Sequence, residues 1–434
     1  MPIPACVTSL WTSLRTRFLA IPPAQGASHC RAALLWLLFA SIVTFPLGQA
    51  FREGGPLLSL VALALYYYWG WEQSALRKLP VRYLFVLFYA LIFLSTLSSI
   101  APATSARIVS PNLWKGFMLP FIAMESIRNW RDLRLLVIGF AIAAFYEGLD
   151  GIWQHITGFD FIHKTPIMAG RLTGSMDTYR AGDFMAMVTV PALGICTLLP
   201  ARLSQRTRLV LACLMLLPAL HLLIFAQSRS GYLGFLGGLY CLWVFLLGRP
   251  AIRWALLPPL AGVLLVFFGP RRISLEAALQ DQRWDLWRLA WRVFESRPWF
   301  GAGAGAYNAG FKSLGLLPVA EDPAIQHPHN IYLQFLSDTG VVGFTIAIAF
   351  FATMTVWSAL RIRSGLKDAA GDALCHWQLT AFFWAGWVCY LFNAIGAHDY
   401  YRTWWLALAM TLLGILLGGC MTGPNDTSTD KAHA

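Results

Sequence analysis

Apolar residues along this chain fall in long blocks, with neither the strict alternation of a half-buried strand nor the one-sided stripe of a soluble helix. A helix needs roughly 20 mostly apolar residues to cross a bilayer. Runs approaching that length cover 32–49, 57–71, 83–101, 113–127, 133–153, 183–199, 209–226, 232–247, 254–268, 331–360, 376–397 and 403–419. The run 113–127 is short and carries Lys115. Aromatic residues bracket several runs, as at Tyr66–Trp69, Trp71, Trp404 and Trp405, where interfacial anchors belong. The pattern predicts an all-α, polytopic integral membrane protein with about 12 transmembrane helices. The first run begins at Ala32, has no A-x-A-like site at its end and is followed at once by another, so no cleavable signal is expected.

The distribution of Lys and Arg orients these runs. With the N-terminus inside, the cytoplasmic segments hold 18 basic residues, among them Arg77, Lys78 and Arg82, then Arg128, Arg131 and Arg134, then Arg361, Arg363 and Lys367. The short outer loops hold Arg52, Arg107, Arg229 and Arg402. This alternation follows the positive-inside rule. It divides the chain into a cytoplasmic segment 1–31, nine transmembrane helices over 32–268, an outer loop 269–330, three more over 331–419 and a cytoplasmic tail 420–434. Two outer segments are long and basic: 154–182 with Lys164, Arg171 and Arg180, and 269–330 with seven Lys and Arg residues. Basic residues kept outside against the trend are candidates for holding an anion.

Composition narrows the class. Apolar residues make up 57% and charged residues 12%, about half the charged share of a soluble domain. The net charge of +12 is spread singly between apolar runs rather than gathered on one face, which argues against nucleic-acid binding. The eight cysteines lie in apolar runs or cytoplasmic segments, with no CxxC spacing, and suggest neither a disulfide framework nor a metal site.

Candidate chemistry lies in the outer segments. His327-Pro328-His329-Asn330 leads straight into the tenth run, which puts His329 at the membrane surface as a possible proton acceptor or an interfacial helix cap. A zinc site from His327 and His329 lacks a third ligand at useful spacing. Arg229 sits in a tight outer turn, either facing a fixed anion or snorkelling. Residues 283–294 have helical period, with Trp284, Trp287, Trp291 and Phe294 on one side and Asp285, Arg288 and Arg292 on another. That suits an amphipathic helix in the outer interface, its arginines on headgroups, with Arg283 free to meet a diphosphate. The Gly301–Gly305 run has no βαβ setting and reads as a tight turn. Asp399, in the last outer turn, either orients a basic group or pairs with an arginine.

At these residues the chain resembles the O-antigen ligase family of membrane glycosyltransferases. His329-Asn330, nine residues, Gly340, two residues and Gly343 match the family's H-[NSQ]-x9-G-x-x-[GTY] motif. Arg229-Ser230-Gly231-Tyr232-Leu233 matches its R-x3-L motif. Arg283, with the later Pro298-Trp299-Phe300-Gly301-Ala302-Gly303, is similar to the third arginine and its turn; Arg171-Leu172-Thr173-Gly174 resembles a further segment, although Asp177-Thr178-Tyr179 departs from it. The resemblance implies transfer of O-antigen polysaccharide from undecaprenyl diphosphate to lipid A–core oligosaccharide on the periplasmic face of the inner membrane. It assigns His329 as general base and Arg229 and Arg283 as diphosphate contacts. Arg171, Arg180, Arg288, Asn330 and Asp399 become further substrate contacts, with no metal and no cofactor. An O-antigen polymerase with the same donor is the alternative within the class. A lipid-linked glycan transporter is the alternative outside it, with Lys115 and Glu147 as its only midplane candidates.

Overall fold

A computed structural model describes residues 22–176, 178–200, 202–246, 256–269, 273–317, 327–397 and 399–423. Among them every regular element is a helix, and extended pairing is limited to two isolated bridges, Phe159 with Pro166 and Met168 with Arg171. The principal helices are α1 (Pro23–Thr44), α2 (Gln49–Gly70), α3 (Tyr83–Leu97), α4 (Leu119–Ser126), α5 (Trp130–Thr157), α6 (Ala181–Ala192), α7 (Gln205–Met215) and α8 (Leu217–Phe225). They continue with α9 (Arg229–Cys241), α10 (Leu257–Phe268), α11 (Arg283–Ser296), α12 (Ile331–Lys367), α13 (Gly371–Asn393) and α14 (Thr403–Met421).

Among the described residues the expected runs fall largely on helix, although only five helices there are long and apolar enough to span a bilayer, and six if a bent pair counts as one. The pair is α7 and α8, which turn by 60° where Pro218 opens a new helix rather than extending the old one. The first described helix starts at Pro23, earlier than the apolar run alone suggests. The run 113–127 is not one continuous helix but a single turn, Asn112–Lys115, followed by α4. Lys115 there pairs with Glu53 at 2.5 Å. The buried Glu125 carboxylate takes Ser74 Oγ at 2.7 Å and the N–H groups of Ala75 and Leu76 at 2.9 Å. Of the two midplane candidates for a transport path, Lys115 is thus paired with Glu53, and Glu147 is buried and accepts Ser175 Oγ. Helices α13 and α14 run through the interior, where Trp387, Tyr390 and Trp405 are fully buried.

The segments that the charge pattern assigns to one side meet one another. Arg171 reaches the carbonyl of Ala226, Arg229 reaches Asp281, Trp287 reaches Pro328, and Ile331 N–H bonds to Ala394 O. Segments assigned to the other side also meet, through Arg128 with Ser28, Arg361 with Cys420 O and His376 with Gly419 O.

Between α10 and α12, helix α11 differs from its expected orientation. Leu286, Leu289, Ala290 and Val293, at i, i+3, i+4 and i+7, form the stripe that packs on Tyr307 and Phe311. Trp284 and Trp291 therefore stay outside the core, and Arg288 and Arg292 share their side rather than opposing it, lining with Glu295 an open groove of about 490 Å³.

Helix α12 breaks at Gly340 (φ 63°, ψ −169°), and the Pro298–Gly305 turn fills the break. The backbone groups freed there find new partners. Ala302 N–H donates to Ser337 O and Gly303 N–H to Asp338 O, while Val341 N–H donates to Pro298 O. Asp338 Oδ2 accepts Gly305 N–H at 2.9 Å. A Cβ on Gly340 would lie 2.3 Å from the Trp299 carbonyl carbon, at a φ that L-residues avoid. Gly340→Ala should therefore lower stability by at least about 3 kcal/mol, read as a large fall in thermal midpoint. Gly262→Ala, whose Cβ would meet only Leu236 Cδ1 at 3.6 Å, should leave the midpoint unchanged or raise it.

Candidate functional site

Two loops at one end of the bundle are built alike. In each, a non-glycine residue in the left-handed region turns the chain into a helix N-cap. Gln227 (φ 50°) precedes Ser228, whose Oγ accepts Gly231 N–H at 3.2 Å. His329 (φ 55°) precedes Asn330, whose Oδ1 accepts Tyr332 N–H at 3.0 Å and Leu333 N–H at 3.1 Å. The cap of α12 is therefore Asn330, which leaves the His329 imidazole clear of that role. The left-handed backbone at His329 is the kind of local strain that surrounding contacts must hold in place. Trp287 Nε1 does part of this, donating to Pro328 O at 3.0 Å.

Cations gather around this histidine. Burial, followed by the charges of His327, Arg283 and Arg180, lowers the His329 pKa to about 2, with Asp281 opposing. His327 stacks at an angle on His329, with ring centroids 4.3 Å apart, and burial beside Arg180 and Arg402 lowers it to about 3. Both imidazoles are thus neutral at physiological pH. Arg180 is itself lowered to about 10 by burial and then by Arg402, and its Nη1 is buried with no hydrogen-bond partner among the described residues. Arg283 comes up to the last loop, where its Nη1 lies 3.3 Å from where a Cβ on Gly396 would sit. Its own N–H holds Asp281 Oδ1 at 2.9 Å, and Asp281 Oδ2 forms an ion pair with Arg229. Arg229 also donates to Ala277 O at 3.1 Å.

Asp399 closes the far side. Burial raises its carboxyl, while Gln334, Tyr401 N–H, Arg402 and Arg180 pull it back down. The arrangement concentrates guanidinium beside two neutral imidazoles, which suits a bound polyanion next to a proton acceptor.

The sequence-derived residues divide into three groups. His329, Arg180, Arg283 and Asp399 come together, with Arg229 joined to them through Asp281. Arg171 is buried, and its guanidinium donates to the carbonyls of Ala226 and Tyr179, so it ties the 158–180 loop to the Arg229 turn. Arg288 lies on the outward face of α11, its side chain 78% exposed and 3.8 Å from Asp285. Two members of the cluster were not singled out from sequence as cationic or proton-bearing contacts: Arg402 and His327. Arg402 carried the signal that flagged Arg229, a lone arginine on a short outer loop. His398 and Asp177 lie outside the described residues. Among the described residues no group of three or more His, Cys, Asp and Glu side chains is placed to hold a metal ion.

Residues 212–348 match the family model described as O-antigen ligase. The matched stretch includes Arg229, Arg283, His329 and the Gly340 break, and ends before Asp399 and Arg402. No curated protein matches the chain.

Replacing Asn330 separates capping from the rest of the site. Asn330→Ala should cost about 1 kcal/mol in thermal unfolding, whereas Asn330→Asp, which keeps an acceptor for the two N–H groups, should retain the wild-type midpoint.

Proposed function

From the chain's place in the O-antigen ligase family, we propose that it is a glycosyltransferase of the bacterial inner membrane. It moves O-antigen polysaccharide from undecaprenyl diphosphate to lipid A–core oligosaccharide. Its termini are cytoplasmic and its site opens to the periplasm, as the Lys and Arg distribution favours. The observation that carries this reading is the convergence of Arg180, Arg283 and Arg402 on the neutral pair His327 and His329.

The donor sugar is joined through its anomeric carbon to a diphosphate, and breaking that bond puts negative charge on the departing phosphate. Guanidinium groups already in place stabilise this charge without reorganising. The acceptor hydroxyl attacks the anomeric carbon from the opposite face, and His329 takes its proton as the new glycosidic bond forms. The proton then leaves His329⁺ for the released diphosphate or solvent. A single displacement of this kind inverts the anomeric configuration and needs no carboxylate nucleophile. Asp281 and Asp399 suit this division of labour, because each is occupied by hydrogen bonds and arginines. Asn330 orients His329 through its cap, and Arg171 acts at one remove by holding the two outer loops together. Arg288, on the open groove of α11, is a headgroup contact or a distant glycan contact rather than a diphosphate ligand.

The lowered His329 pKa bears on catalysis in a specific way. In the empty site the surrounding cations make it a neutral but weak base. A bound diphosphate offsets the Coulombic part of that effect, so basicity rises when donor is present. The fall with acid of kcat/KM reports the free enzyme. Since the free histidine is already neutral, kcat/KM should stay flat from pH 8 to 5. An ordinary histidine near 6.5 would lose about thirtyfold over that range.

Reconstitution of the purified chain with lipid-linked glycan and lipid A–core tests the assignment. Transfer of glycan to the core with inverted configuration is expected. Extension of one lipid-linked chain by another would instead make the protein a polymerase, and movement of intact donor across the bilayer would make it a transporter. In the same assay His329→Ala should lower transfer by about 10²–10⁴-fold, and activity at the wild-type level would remove the histidine from the mechanism.

A further inference from the structure

Gln334 lies one helical turn inside α12 from Asn330 and is 2% exposed. A buried amide must satisfy both of its ends, and this one does so on a single turn of another segment. Its Nε2 donates to Asp399 Oδ1 at 2.6 Å, and its Oε1 accepts Tyr400 N–H at 2.8 Å. Asp399 Oδ1 also accepts Tyr401 N–H at 3.0 Å, and Arg402 N–H returns to Asp399 O at 3.1 Å. The turn from Asp399 to Arg402 is therefore tied from one side by Gln334, on the helix that His329 and Asn330 introduce, and from the other by Asn112, whose Nδ2 donates to Tyr401 O at 2.7 Å. Arg402 comes from the far side of that turn to lie within electrostatic range of Arg180 and His327.

We propose that Gln334 is a positioning residue for the anion site, fixing the 399–402 turn so that Arg402 stands beside Arg180 and His327. Through Asp399 it also places the carboxylate that balances these two arginines. The proposal rests on the glycosyl-transfer reading for the identity of the anion, a lipid-linked diphosphate. Gln334 itself touches neither donor nor acceptor. Its loss should weaken donor binding, leave acceptor binding alone and leave the proton-transfer step largely intact. A glutamine needed only to hold the fold together would instead reduce the fraction of active protein, lowering kcat with both KM values unmoved.

Full-length wild type and variants reconstituted in bilayers are compared by thermal midpoint, steady-state transfer and direct binding of inorganic pyrophosphate. Gln334→Met removes both hydrogen bonds at similar volume. Its donor KM should rise about tenfold or more, the scale expected for losing a hydrogen bond to a charged group, with kcat within about threefold and acceptor KM unchanged. Gln334→Glu keeps the acceptor for Tyr400 N–H and sets one carboxylate against another, so its donor KM should rise at least as far. This second variant carries the test if Gln334→Met fails to fold. Gln334→Glu with Asp399→Asn restores a donor–acceptor pair and should recover a substantial part of the affinity that Gln334→Glu loses. Pyrophosphate affinity should follow donor KM in every case. Folded variants with donor KM within about twofold of wild type, a loss confined to kcat, or a double variant no better than Gln334→Glu would each overturn the proposal. A wild type that neither transfers glycan nor binds pyrophosphate would instead overturn the diphosphate reading of the site, and the positioning role with it.

Discussion

A guanidinium withdrawn from water needs an anion beside it, and one end of this bundle holds more guanidinium than carboxylate. Arg180, Arg229, Arg283 and Arg402 converge there, against Asp281 and Asp399. Asp281 is divided between the Arg229 ion pair and the N–H of Arg283, while Asp399 is held by Gln334 and Tyr401 N–H. Asp183, close by, accepts from Ser228 and Ser230. The remaining positive potential is what lowers Arg180 and both histidines, after burial. A site with that imbalance is one that a bound anion would relieve.

Rigid elements hold the imbalance in place. The nine residues between the Asn330 cap and the Gly340 break form a short column fixed at both ends. Asn330 satisfies the N–H groups at its start, and the Pro298–Gly305 turn satisfies the carbonyls and N–H groups freed at its end. That turn follows directly from α11, whose Trp287 holds the Pro328 carbonyl next to His329. The two halves of the His-to-Gly spacing are thus one mechanical unit: the glycine admits the turn, and the turn's own helix steadies the histidine loop.

Much of this was legible from sequence because the constraints are local. Apolar block lengths located the helices, and the alternation of Lys and Arg sorted the loops into the two groups that meet in space. Arg229 and His329 stood out for being polar at the edge of long apolar runs. What was not legible depends on tertiary packing. The face of α11 could not be assigned, because its tryptophans outweigh the smaller Leu286, Leu289 and Val293 in any pattern read from one helix alone. The run 113–127 looked like a weak span, since the partners of Lys115 and Glu125 are distant in sequence. Arg402 passed as an ordinary outer arginine because its importance comes from Arg180, more than two hundred residues away. Gln334 was hidden inside an apolar helix, where a lone amide has no meaning until its partner is known.

The central claim is that the arginine cluster beside His329 holds the diphosphate of a lipid-linked glycan. A structure of the full chain in a bilayer with a polyprenyl diphosphate bound tests it most directly. The account predicts both phosphates between Arg180, Arg283 and Arg402, with guanidinium nitrogens about 3 Å from phosphate oxygens and His329 open on the side away from the lipid. Phosphates bound instead on the outward face of α11 at Arg288 and Arg292, with Arg180 and Arg402 untouched, would contradict it.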